Sequence, residues 1–178
     1  PTFTFQPYGS HPRHIDEITL GEGMSKVKTE EEMDEETSPI SFFSEDIAFE
    51  PQHTDQIIPW IEHTIEKYAC NLSFINFIFC SDDYLHQLNV SYLDHDTLTD
   101  IITFPYSTAP QIEGDIFISI ERVRDNAATF KVSFEEELLR VIIHGVLHLC
   151  GFKDKTPTEK EEMDQKENEA LAHYKRHK

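Results

Sequence analysis

The sequence predicts an α/β (α+β) layered fold in a single domain, and three observations carry that prediction. Short apolar, β-rich runs alternate along the chain with segments of helical period, the pattern of a sheet covered by helices. The length, 178 residues, suits about one domain. Apolar residues make up 38% and charged residues 28%, which allows one packed core beneath a heavily ionised surface.

The chain opens on a different texture. Residues 1–24 hold Pro, Gly, His and Ser without a sustained period, and residues 26–38 (KVKTEEEMDEETS) are strongly acidic. Residues 1–38 therefore read as a flexible acidic arm, with those ahead of Met24 as candidates for non-native sequence, and 39–178 as the folded domain. Ile40–Phe43 is a short strand candidate. Thr54–Ala69 reads as a helix, with Thr54 as N-cap and Ile57, Ile61, Ile65 and Tyr68 on one face. Phe74–Cys80 is almost wholly apolar and reads as a buried strand. Ser81 caps a short helix carrying Leu85 and Leu88. Asp100–Phe104 is a strand stopped by Pro105, Gly114–Ile120 another strand, and Glu121–Thr129 a helix. Ser133 with Glu136, and Thr156 with Pro157 and Glu159, are capping-box signatures that open the last two helices.

Charge and cysteine content exclude several classes. Lys plus Arg number 15 against 34 Asp plus Glu, a net charge of −19, which excludes a simple basic nucleic-acid-binding tail protein. The arm does not explain this acidity, because residues 46–178 keep 12 basic and 24 acidic side chains, a balance of −12. No apolar run approaches the roughly 20 residues of a membrane span. Neither does a signal-peptide pattern open the chain, so a cytoplasmic protein is expected. Cys70, Cys80 and Cys150 are odd in number, form no CxxC and lie in apolar segments. They read as structural thiols in a reducing compartment.

The chemistry concentrates in residues 141–152, VIIHGVLHLCGF. This stretch is apolar on every helical face except for His144 and His148, so the two imidazoles lie in or beside the core. Their spacing projects both from one face, a turn apart. Burial favours the neutral imidazole, which is also the metal-binding form. Gly145 interrupts the helix at a cost of about 1 kcal/mol relative to Ala, which suggests close approach to the backbone. Gly151 suits a left-handed helix end, after which Asp154 can turn back. Two imidazoles and a carboxylate give three ligands and an open coordination position, the arrangement of a catalytic zinc site. A structural histidine pair and a structural metal are the alternatives. A HExxH peptidase needs Glu as general base where this chain has Gly145, so peptide hydrolysis by that route is not expected.

HGVLHLCGFKD resembles the H-G-x-L-H-L-x-G-[YF]-x-[HD] signature of the YbeY-type ribosomal-RNA maturation endoribonucleases. TDIITFPY (Thr99–Tyr106) resembles that family's T-[DN]-V-L-[ST]-F-P stretch, and GDIFIS (Gly114–Ser119) its G-D-I-x-I-S strand. Order and spacing also agree, over roughly residues 39–174. The resemblance implies a small mixed sheet with surrounding helices, related to zinc-peptidase architecture. It implies a zinc-dependent, single-strand-specific endoribonuclease acting in small-subunit rRNA 3′-end maturation and ribosome quality control. It implies one zinc ion held by His144 and His148, which act in catalysis through the metal. Most members have histidine as third ligand where this chain has Asp154. Aspartate ligates zinc at a similar distance but makes the metal less electrophilic. Many members carry an arginine where this chain has Leu93. Lys153 and Lys155, and more weakly His95, are the candidates for RNA contact in its place. Asp100 and Asp115, in the matching motifs, are candidate partners of the ligands.

The implied partners are ribosomal RNA and the small ribosomal subunit or an assembly protein, with no membrane. A −12 domain should bind RNA weakly and with strong salt sensitivity. Either its basic residues cluster at the metal, or a ribosomal partner delivers the substrate. Two rival classes stand beside this reading. One is another metal-dependent hydrolase, acting on a peptide or small molecule. The other is a ribosome-assembly binding protein whose structural metal would need a fourth ligand, such as His173 or Asp164 from the C-terminal helix.

Overall fold

The computed structural model describes residues 38–178, and the predicted arm lies outside the described residues except for Ser38. Four strands form one sheet: β1 (Ile40–Ser44), β2 (Asn71–Cys80), β3 (Ile101–Pro105) and β4 (Gln111–Ser119), in the order β1-β2-β4-β3. β1, β2 and β4 run parallel, and β3 pairs antiparallel with β4 at the edge. Five helices accompany them: α1 (Thr54–Lys67), α2 (Asp82–Leu93), α3 (Ile120–Phe130), α4 (Phe134–Leu149) and α5 (Pro157–His177). The α/β class predicted from the alternation of segments is the observed one.

Alternation along the central strands divides the helices between the two faces of the sheet. Ile75, Phe77 and Phe79 of β2 lie beside Gly114, Ile116 and Ile118 of β4. Apart from the glycine, these residues form the main core with Ile57, Ile61 and Ile65 of α1 and Ile142, Ile143 and Val146 of α4. Phe117 points to the other face, where Tyr84 of α2 stacks on it at 6.3 Å between ring centroids. α5 closes over the outside of α1 and α4. Trp60 Nε1 donates to the Ala170 carbonyl at 2.8 Å, and the Trp60 and Tyr174 rings meet edge to face. Cys80 and Cys150 are free and buried, and burial raises each thiol to about 12.

Several boundaries differ from the sequence reading. The N-cap of α1 is His53, at φ 59°, and Thr54 is already helical. β2 starts at Asn71 and β4 at Gln111, both ahead of the expected Phe74 and Gly114. The early residues of β2 alternate between exposed and half-buried, so apolar content underestimates the strand. Ile120 opens α3 instead of ending β4, because the Ser119 hydroxyl caps Arg122 N–H. The capping box of α5 is complete. That of α4 is half formed: Ser133 Oγ accepts from Glu136 N–H, while the Glu136 carboxylate takes Lys175 of α5 at 3.0 Å.

Candidate metal centre

The last two turns of α4 carry the site. This helix is buried along nearly its whole length, and Gly145 shows how closely it lies on the sheet. A Cβ at Gly145 would come within 2.8 Å of Ile101 Cδ1 and 3.0 Å of Ile116 Cδ1. The backbone approach expected from the glycine is therefore the approach of β3 and β4. A glutamate at this position would point into the sheet.

α4 ends in a Schellman motif. Gly151 N–H donates to the His148 carbonyl and Phe152 N–H to the Leu147 carbonyl, with Gly151 at φ 98°. The reversal carries Asp154 back beside the helix. His144 Nε2 and His148 Nε2 lie 3.0 Å apart, and Asp154 Oδ2 is 3.3 Å from each. Among the described residues, these three form the one group of His, Cys, Asp or Glu atoms close enough to share an ion.

The partners of the other ring nitrogens decide the tautomers. His144 Nδ1 lies 3.0 Å from Glu167 Oε2, and His148 Nδ1 lies 2.9 Å from the Phe152 carbonyl. Carbonyl and ionised carboxylate oxygens only accept, so each Nδ1 carries a hydrogen and donates it. In the neutral rings both Nε2 atoms then present bare lone pairs, facing a carboxylate oxygen at 3.3 Å. Three acceptors converging without a donor form a site that a cation satisfies. One oxygen and two imidazole nitrogens suit zinc. Burial lowers the His144 pKa, but the hydrogen bond and charge of Glu167, with Asp154 and Asp100, carry it above its ordinary value.

Glu167 is the residue that sequence reasoning missed. It is 5% exposed, and also faces Arg140 at 3.4 Å. On α5 it falls on the buried stripe of Met163, Ala170, Leu171 and Tyr174, so the signal that could have found it is a carboxylate at a core position of the helical period. Asp115, a candidate partner of the ligands, is occupied elsewhere: Asn76 Nδ2 and Tyr106 Oη donate to it at 2.9 and 2.6 Å across the sheet. Asp100 lies nearer the centre, in the wall of its hollow, and accepts from Asn126 Nδ2 at 3.2 Å. Burial raises its carboxyl above the ordinary range, opposed by the charge of His144.

The centre opens into a hollow of about 830 Å³ between β3, the loop after α2 and the chain after α4. Lys153, Lys155, His95 and Leu93 all line it. The Lys153 and Lys155 side chains form no ion pair among the described residues and are exposed. His173 is placed elsewhere, stacked on His63 at 4.1 Å, and Asp164 is exposed on α5.

The sequence profile of the family Endoribonuclease YbeY matches residues 39–175, which is most of the chain. The chain belongs to the YbeY family. An Endoribonuclease YbeY of Flavobacterium johnsoniae is 50% identical over 130 residues, spanning 73% of this chain and 94% of that protein. One from Amoebophilus asiaticus is 52% identical over 130 residues, spanning 72% and 88%. The solution structure of a Thermotoga maritima protein aligns with a TM-score of 0.55 at 27% identity, covering 78% of this chain and 93% of that one. This YbeY chain is accordingly a nuclease acting on RNA, with a His/His/Asp group available for a metal. Among its described residues, no helix is long and apolar enough to cross a membrane.

Proposed function

We propose that this YbeY protein is a zinc-dependent, single-strand-specific endoribonuclease of small-subunit rRNA 3′-end maturation and ribosome quality control in the cytoplasm. The observation that carries the reading is the convergence of His144 Nε2, His148 Nε2 and Asp154 Oδ2 within 3.3 Å, with both Nδ1 atoms already donated. A zinc ion bound there would supply a Lewis acid that stabilises charge on phosphoryl oxygens.

The chain's own residues do the remaining work. Glu167 and the Phe152 carbonyl hold the imidazoles in the tautomer and orientation that face the hollow. The Schellman turn brings in Asp154 and sets Lys153 and Lys155 on the lip, where their ammonium groups can meet phosphates. His95 lines the same hollow from the loop after α2. RNA brings its own nucleophile, the 2′-hydroxyl, so the lack of a glutamate base at position 145 is compatible with cleavage.

The test is cleavage of a precursor RNA spanning the 3′ end of small-subunit rRNA. Wild type is compared with an identically prepared His148→Ala protein, with and without chelator. The reading expects cleavage by wild type, lost in the variant and lost with chelator. Equal cleavage by both proteins would assign it to a contaminant.

A further inference from the structure

Beside the metal hollow lies a second one, of about 310 Å³, between α1 and α5. The Tyr68 and Phe152 rings meet edge to face at 4.9 Å and form the wall between them: Phe152 lines the metal hollow and Tyr68 the second. Lys166 sits on this wall. Its Nζ is 4.5 Å from the Phe152 ring centre and 5.0 Å from that of Tyr68. Two aromatic faces hold the ammonium in place, so less freedom remains for a ligand to quench. Beyond the wall, Lys67 and Arg176 line the second hollow.

This gathering of cations is notable in a domain whose balance is −12 over residues 46–178. Lys153 and Lys155 stand on the metal side of the ring pair, Lys166 on top of it, and Lys67 and Arg176 beyond it. Two of these cations have a carboxylate partner. Glu162 is 3.5 Å from Lys166, and Glu169 meets Lys67 at 2.9 Å in a pair about half exposed on both sides. The Lys67–Glu169 pair, exposed on both sides, is worth at most about 1 kcal/mol, so a phosphate can compete for that ammonium. Cations interleaved with aromatic rings are the surface that a flexible single strand fits.

Resting on the endonuclease reading, we propose that single-stranded RNA continues from the metal hollow over the Tyr68–Phe152 ring pair into the α1–α5 hollow, where Lys166, Lys67 and Arg176 hold its phosphates. The second hollow is then a subsite for nucleotides remote from the cleaved bond.

The test measures binding of a labelled oligouridylate of about 12 nucleotides, within the range of single-strand site sizes. Fluorescence anisotropy is read across roughly 50 to 200 mM salt in the non-cleaving His148→Ala background. Adding Lys166→Ala and Arg176→Gln should weaken binding and flatten the slope of log K against log salt by about 1.4, or ~0.7 for each lost phosphate contact. Lys166→Arg, which keeps charge and ring contact, should restore the Lys166 share. Lys67→Gln with Arg176→Gln, both at exposed positions, repeats the measurement without touching the ring wall. Unchanged affinity and slope in either set would overturn the subsite. In the cleaving protein, the same substitutions should raise KM for long substrates and leave kcat within about twofold, since remote ground-state contacts are what they remove. Cleavage that wild type performs and these variants match in KM would reject the subsite alone. Absence of both binding and cleavage in wild type would reject the endonuclease reading together with the subsite.

Discussion

Two pairs of histidines in this protein share one spacing and differ in everything that matters for metal binding. His144 and His148 stand four residues apart on α4, and His173 and His177 stand four apart on α5. On α4 the rings cross at 84°, and both Nε2 atoms point at one place, 3.0 Å apart. On α5 the rings stack at 4.1 Å and 27°, with His173 further stacked on His63. His177 Nδ1 turns back to the His173 carbonyl at 2.8 Å. Helical spacing brings two imidazoles together. Orientation comes from what each Nδ1 finds, and only α4 has a buried carboxylate and a turning carbonyl supplied from outside the helix.

The largest expected effect tests the contrast directly. Zinc titrations followed by calorimetry should show His148→Ala losing more than the ~100-fold that removal of an outer-shell partner costs, since a ligand itself is gone. His177→Ala should bind zinc as wild type does. Equal losses in both would mean that the α5 histidines also hold metal.

A smaller effect is expected from the outer partner. Glu167→Gln keeps an oxygen for His144 Nδ1–H but removes the negative charge, and zinc affinity should fall by roughly 10- to 100-fold. Unchanged affinity would reduce Glu167 to a packing residue paired with Arg140.

The mildest test is pH. His144 lies above its ordinary value of 6.5, because Glu167, Asp154 and Asp100 outweigh burial. His173 lies below 6.5, lowered by burial and by His63 and His177. In the metal-free protein, the proton-linked stability from His144 is present below the unfolded value and fades as pH rises through the higher folded one. For His173 it is present above the unfolded value and is lost as pH falls through the lower folded one. Zinc needs neutral imidazole, so its affinity should decline as pH drops through the raised His144 value, beginning above 6.5. NMR titration of the ring protons should place the two histidines on opposite sides of that value. A metal-free His144 that titrates below it would mean Glu167 does not control the ring.

Much of the site was legible in the sequence because its determinants are local. The apolar surround of His144 and His148, the glycine that admits the sheet and the glycine that turns the chain toward Asp154 are all read within eleven consecutive residues. The α/β class was legible for a similar reason, since periodicity and capping signatures act over a few residues. Boundaries were less so: β2 extends into residues whose one face meets solvent, where apolar content falls although pairing with β4 resumes beyond a register shift between Leu72 and Phe74.

By itself the sequence determined the helix that carries the two candidate ligands, their spacing and the turn that returns the third, because backbone hydrogen bonds and helical geometry enforce these within one segment. Tertiary structure alone decided the order β1-β2-β4-β3, the placing of Glu167 behind His144 and of Lys166 on the Tyr68–Phe152 wall, and the stacking that turns His173 away from any metal. Each of these joins residues far apart in the chain. Which carboxylate is buried and which lysine is held follows from how α5 packs across α1 and α4, and packing depends on the whole set of contacting surfaces, not on any one segment's pattern.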